Sequence, residues 1–229
     1  MKRYSIDPAM LSLEEFWELT ANRRMLPSRV VLQERMTERL AVLRQLGIAC
    51  LGDLLHILDS KSKIQSCAVQ TGLSVDYLVL LKREAGSYLA RPFPLGNFPG
   101  IPFEYVELLK SRGILNTKDL FEQGQTEEQQ EAISLNTGIP AYRLKELCSL
   151  CDLSRITGVG GIFARVVYET GIRSTEEFAS TDISSLLSSC QLVIEKHGYA
   201  AGKLGEEDIR YGINYANVVV ACDKKPENK

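Results

Sequence analysis

Three Gly-Ile pairs, Gly47-Ile48, Gly113-Ile114 and Gly171-Ile172, punctuate the chain at steps of 66 and 58 residues. Each ends an apolar stretch of helical period, where glycine is the favoured left-handed terminator. Each is followed by an acid before an apolar residue: Asp53-Leu54, Asp119-Leu120 and Glu177-Phe178. Asn116 with Asp119, and Ser174 with Glu177, have capping-box spacing, which predicts a helix start in each copy. Such a register points to tandem copies of one small helical unit.

The register extends in both directions. Gly72 and Gly138 each lie 25 residues after their Gly-Ile glycine, and His197-Gly198 comes two residues late in the third copy. Tyr77, Leu78, Leu81 and Ala85 match Arg143, Leu144, Leu147 and Cys151, the three- and four-residue steps of a buried stripe. Thirteen residues upstream, Pro99-Gly100-Ile101-Pro102 and Thr157-Gly158-Val159-Gly160 are equivalent loops. The first copy has Glu34-Arg35-Met36 there, which predicts a continuous helix or a degenerate turn. The first spacing is eight residues longer, and the excess falls between Ala85 and Gly100, where prolines forbid one helix. Residues 91–99 are therefore expected as a linker. It would separate an N-terminal helical extension plus a degenerate first repeat (1–90) from the second and third repeats (100–222). Residues 223–229 are expected to fray. In the extension, a helix is predicted from Ser12 to about Asn22 and another from about Arg29 to Leu46, broken at Leu26-Pro27-Ser28. No strand signal is found, and Val218 to Ala221 reads as the end of the last helix. The fold class is all-α.

No apolar run approaches the ~20 residues of a bilayer span, and the first residues lack the apolar stretch of a signal peptide. The expectation is a cytoplasmic protein with no membrane partner. The net charge of −2 argues against coating nucleic acid through bulk charge. Charge is uneven: residues 1–98 hold 13 Lys/Arg against 10 Asp/Glu, and the remainder hold 14 against 19. The local basic cluster is Arg23, Arg24, Arg29, Arg35, Arg39 and Arg44, which reads either as a solvated helix face or as a backbone-contacting surface. The six cysteines lie in apolar helical patterns and are expected as reduced thiols. Cys148-x-x-Cys151 invites a zinc or redox reading. Against it, Cys151 aligns with Ala85, there is no second such motif, and the only histidines are His56 and His197. No metal, no cofactor and no catalytic residues are expected.

Ile156-Thr157-Gly158-Val159-Gly160-Gly161-Ile162-Phe163-Ala164-Arg165 resembles the core motif of the helix–hairpin–helix superfamily, of the RuvA C-terminal, DNA-repair-like kind. Across roughly residues 10–220 the chain also resembles a bacterial helix–hairpin–helix family of unknown function. The stretches Arg23-Arg24-Met25-Leu26-Pro27-Ser28-Arg29 and Cys151-Asp152-Leu153-Ser154-Arg155-Ile156 carry that likeness. The resemblance implies tandem helix–hairpin–helix-like repeats, SAM-domain-like helical units, with an N-terminal helical extension. Physically, such a loop suits phosphate: its glycines turn sharply and expose backbone N–H groups, and the next helix adds its positive end. The candidate site is Gly158, Val159, Gly160, Gly161 and Ile162, assisted by Arg155 and Arg165. In the second hairpin Pro102 removes an N–H and Glu104 follows, so no phosphate binding is expected there. Two readings stay open: a non-catalytic module gripping DNA or RNA backbone, and a helical scaffold for another protein whose hairpins only pack. A helix–hairpin–helix glycosylase is the enzymatic alternative, without a convincing Lys/Asp pair or cluster-binding cysteines. Asp182 reads as a helix N-cap.

Overall fold

The computed structural model describes residues 2–199, 202 and 204–224. Among them the regular structure is helical, with thirteen α-helices and no strand beyond two isolated bridges. The chain is all-α, as expected. It divides into two compact units, Ile6–Leu89 and a second that joins Met1–Ser5 to Ala90–Lys229.

The first unit contains α1 (Leu13–Ala21), α2 (Met36–Gln45), α3 (Leu51–Ile57), α4 (Lys61–Thr71) and α5 (Val75–Ser87). Ser12 and Glu15 form a reciprocal capping box at α1. α5 packs on α3 and α4, and Leu51, Leu54, Leu78, Leu81, Ala85 and Tyr88 are buried between them and α1. The helix expected from Arg29 to Leu46 does not form as one element. A 3-10 segment, Pro27–Gln33, precedes α2, and Arg35 between them has φ +47°. Arg35 stands one residue after the register equivalent of Gly100 and Gly158, so the first copy keeps a left-handed turn without glycine. Gln33 holds this bend by donating from Nε2 to the carbonyls of Thr20, Ala21 and Arg23.

The second unit contains α6 (Phe103–Lys110), α7 (Thr117–Gln123), α8 (Glu127–Thr137), α9 (Ala141–Leu153), α10 (Gly161–Glu169), α11 (Thr175–Ala179), α12 (Ile183–His197) and α13 (Glu206–Lys224). α9 packs against α7, α8 and α10, and α13 covers α11 and α12. Residues 91–99 belong to this unit rather than hanging between bodies. Leu95 and Phe98 are buried, Pro94 bridges to Asn116, and the Thr117 N–H donates to the Phe93 carbonyl at 3.0 Å. Proline excluded one continuous α-helix there, yet extended chain around a 3-10 turn at Leu95–Asn97 could still pack. Of the tail expected to fray, Asp223 and Lys224 are helical at the end of α13, and residues 225–229 lie outside the described residues.

The register read from sequence recurs as geometry. α3, α4 and α5 are 7, 11 and 13 residues long, and so are α7, α8 and α9, each starting 66 residues after its counterpart. Gly47 and Gly113, at φ +79° and +78°, close α2 and α6 in the same way. In each, the glycine N–H bonds three residues back and the isoleucine N–H five residues back, to Leu43 and Leu109. This is the Schellman arrangement, with Ile48 and Ile114 buried as its apolar contact. The third copy keeps the start, since α10 and α11 begin 58 residues after α6 and α7. It then drifts: α11 has five residues and α12 begins two positions early.

Candidate functional site

The loop 154–160 joins α9 to α10. Its first turn is closed by the Arg155 and Ile156 N–H groups, which donate to the Asp152 and Leu153 carbonyls. Gly158 follows at φ +88°, a conformation that costs any residue with a Cβ roughly 1–2 kcal/mol. The Val159 side chain is buried and its N–H donates to the Ile156 carbonyl at 2.9 Å. Val159, expected among the donors, is thereby committed to the turn. Gly160 is the N-cap of α10, and its carbonyl accepts the first helical bond, from Ala164 at 2.8 Å. The N–H groups of Gly160, Gly161, Ile162 and Phe163 have no acceptor among the described residues. No capping side chain and no acid occupies this first turn. Gly160 and Ile162 are exposed, so the positive end of α10 faces solvent.

The glycines differ in what they do. Gly160 has φ −80° and ψ −178°, ordinary extended backbone, and a Cβ there would meet nothing within 4 Å. Gly161 instead lies against the other loop, where a Cβ would come within 2.4 Å of the Asn97 carbonyl oxygen. The two equivalent loops of the second unit therefore pack side by side. In the other one, Pro102 is the N-cap of α6 and Glu104 lies in its first turn, features that oppose an anion.

Both arginines expected to assist are withdrawn from the surface. Arg155 is 1% exposed. It pairs with Asp152 at 2.9 Å and Asp223 at 2.6 Å, donates from Nε to the Tyr4 carbonyl, and lies over the Phe121 ring. Arg165 is 4% exposed. It pairs with Glu146 at 2.5 Å and Glu169 at 3.4 Å, and its Nε donates to the Pro99 carbonyl at 2.8 Å. A buried cation must be paired to be tolerated, and these pairs tie loops and helices together. The basic cluster near the N-terminus is largely spoken for as well. Arg23 and Arg29 clamp the fully buried Glu84 at 2.7 and 2.9 Å. Arg35 pairs with Glu38, Arg44 pairs with Glu14, and Arg39 lies over Tyr77 while donating to the Val31 carbonyl. Arg24 is exposed and has no ion-pair partner among the described residues.

The residues that sequence reasoning missed are the acids: Glu84, Glu146, Asp152 and Asp223. Only Asp152, three residues before Arg155, carried a local signal. Cys148 and Cys151 are buried on α9, and burial pushes the Cys148 thiol up to about 12 and the Cys151 thiol well above its ordinary value. Both are therefore neutral thiols near pH 7. Asp182 caps α12 by accepting the Ser185 N–H at 2.9 Å. No single helix among the described residues is long and apolar enough to cross a membrane.

Fold and loop thus define an all-α chain in which α10 starts at a glycine loop with neither a side-chain cap nor a first-turn acid. Residues 99–210 match a family described as a domain of unknown function, DUF4332. That match spans both loops of the second unit. No curated protein and no solved structure matches the chain.

Proposed function

We propose that this protein is a non-catalytic module of tandem helix–hairpin–helix type that binds nucleic-acid backbone phosphate, without reading sequence, through the start of α10. One observation carries the reading. The N–H groups of Gly160 to Phe163 have no acceptor among the described residues, no capping side chain and no first-turn acid beside them, and Gly160 and Ile162 are exposed. Such an end is a ready anion site, and contacts to phosphate position a backbone rather than read its bases. Because Arg155 and Arg165 are buried, amides rather than cations make the contact. Affinity is then at or weaker than the ~10⁻⁴ M end of the range for non-specific binding. The salt slope reflects on the order of one phosphate, far from the ~6–10 of a protein lined with Lys and Arg.

The test uses Gly160→Asp. Extended backbone and open space accept the new side chain, and Asp is a favoured N-cap. The variant therefore folds while placing a carboxylate where phosphate would bind. Fluorescence anisotropy with labelled single- and double-stranded DNA and RNA at low salt should show weak binding that the variant abolishes. Equal binding by both proteins, or none by the wild type, removes the reading.

A second reading, a scaffold for another protein, has its own observation. Val69 on α4 and Leu135 on α8 occupy the same register position and are 87% and 85% exposed. Flanking them, the α4 face carries Lys61 and the α8 face Glu127, Glu128 and Glu131. Loss of self- or partner association in Val69→Glu and Leu135→Lys, with nucleic-acid binding absent, would favour it.

A further inference from the structure

The second unit holds a half-open cavity of about 370 Å³ beside the loop between α7 and α8, with Lys2 and Arg173 at its edge. The corresponding loop of the first unit is built from different side chains. In the first unit the position equivalent to Cys148 is Lys82, whose Nζ donates to the Asp59 carbonyl and closes the corresponding loop. Leu58 and Ile64 are buried there. Their counterparts, Gly124 and Gln130, line the cavity together with Cys148. Two apolar side chains and a lysine are thus replaced by a glycine, an amide and a thiol; the Cys148 thiol packs against Gly124, where a Cβ would come within 2.9 Å of Sγ, and this set lines the cavity.

The charges around it do not cancel. Asp152 is already committed, its Oδ1 to Arg155 at 2.9 Å and its Oδ2 to the Thr175 N–H at 2.7 Å. Glu127 pairs with Lys145 at 3.2 Å. Lys2 and Arg173 have no carboxylate partner for their side chains among the described residues. The Glu177 carboxylate accepts the Arg173 backbone N–H, and the guanidinium lies over the Tyr168 ring and donates from Nη1 to the Tyr168 and Ile172 carbonyls, so its charge meets no acid among the described residues. The wall also offers the Phe121 ring, the Cys148 thiol and the Ser149 hydroxyl. Two uncompensated cations beside a mixed polar and apolar wall match a dianion on a small neutral body. The volume is near the lower end of the ~300–1,000 Å³ of small-molecule sites, which suits a metabolite of a few carbons.

We propose that this cavity binds a small organic phosphate monoester, with the phosphate held by Lys2 and Arg173 and the body against Phe121, Cys148 and Ser149. The site is separate from the α10 hairpin, and its test is kept separate too. The full chain is titrated by calorimetry, in phosphate-free buffer, with glycerol 2-phosphate, and with inorganic phosphate and glycerol as controls. Glycerol 2-phosphate is expected to bind more tightly than inorganic phosphate, and glycerol not at all. Lys2→Gln, whose backbone bonds to Gln125 are kept, should weaken it at least tenfold, and Ser149→Tyr should abolish it by filling the space. Gly160→Asp should leave it unchanged. Lys2→Gln carries the test if Ser149→Tyr does not fold. No binding of glycerol 2-phosphate by the folded wild type overturns the proposal, as does equal binding by Lys2→Gln. Binding lost in Gly160→Asp but kept in Lys2→Gln also overturns it and places the anion on the hairpin.

Discussion

At the scale of single residues, the three glycines of Gly158-x-Gly160-Gly161 look alike in sequence and do different work. Gly158 supplies a left-handed turn, Gly161 a close approach to Asn97, and Gly160 neither. The expected order of stability follows. Gly161→Ala forces its Cβ into a backbone carbonyl and should cost about 1–3 kcal/mol, as overpacking does. Gly158→Ala should cost about 1–2 kcal/mol, and Gly160→Asp should be neutral or gain a few tenths. Urea midpoints of the three variants check this, and a destabilised Gly160→Asp would show that the extended N-cap is misread. The loop was legible from its spacing because glycine punctuates chain direction locally. The roles of Arg155 and Arg165 were not legible. Their partners Tyr4, Asp223, Pro99 and Glu146 are between 19 and 151 residues away in sequence, and nothing local announces a burial created by tertiary packing.

At the scale of elements, the recurrent acid proved to be a structural fixture rather than a site. Asp53, Asp119 and Glu177 each accept the N–H of the residue four positions earlier, Ala49, Leu115 and Arg173, at 2.9, 2.9 and 2.6 Å. The acid reaches one residue beyond the usual capping box and ties the Gly-Ile turn to the next helix. Position and residue type were both readable because a cap is a local bond. Asn116 accepts from Lys118 and Asp119, so Asn116→Ala should lower stability by about 1 kcal/mol. For Asp53 the effect depends on pH. Bonds from the Ala49 N–H, first, and then from Cys50 hold its carboxyl below the ordinary carboxylate range. A lowered folded value means the stabilisation is complete above the unfolded value of about 4 and is lost as pH falls through the folded one. The stability gap between wild type and Asp53→Asn should therefore be constant from neutral pH to about 5 and close as the pH falls below about 4. Chemical denaturation across that range measures it, and a gap that widens on acidification would contradict the bonding seen at α3.

At the scale of the molecule, the periodic stripes set the helices and the prolines set where helices cannot run, but neither revealed that residues 2–5 serve the distant unit. Periodicity describes an element's own faces, whereas a short strap is placed only by what it fits. Tyr4 is buried against Phe121. Its hydroxyl accepts from Thr117 at 2.8 Å and is bonded to Ser154 at 3.0 Å, and its carbonyl accepts from Arg155. Burial raises its phenol above the ordinary value, so it stays neutral and available to both partners. Tyr4→Ala should remove about 3–5 kcal/mol, as large-to-small aromatic changes do. Tyr4→Phe should cost less, about 1–2 kcal/mol, for the hydroxyl bonds alone. The chain contains one tryptophan, Trp17, which lies in the first unit with its Nε1 bonded to the Met36 carbonyl. Tryptophan fluorescence thus follows Ile6–Leu89 while far-ultraviolet circular dichroism follows helix in both units. If each unit unfolds on its own core, Tyr4→Ala lowers the midpoint of the dichroism transition for the second unit and leaves the fluorescence midpoint in place. Coincident shifts of both probes would instead show that the strap couples the two units into one cooperative transition.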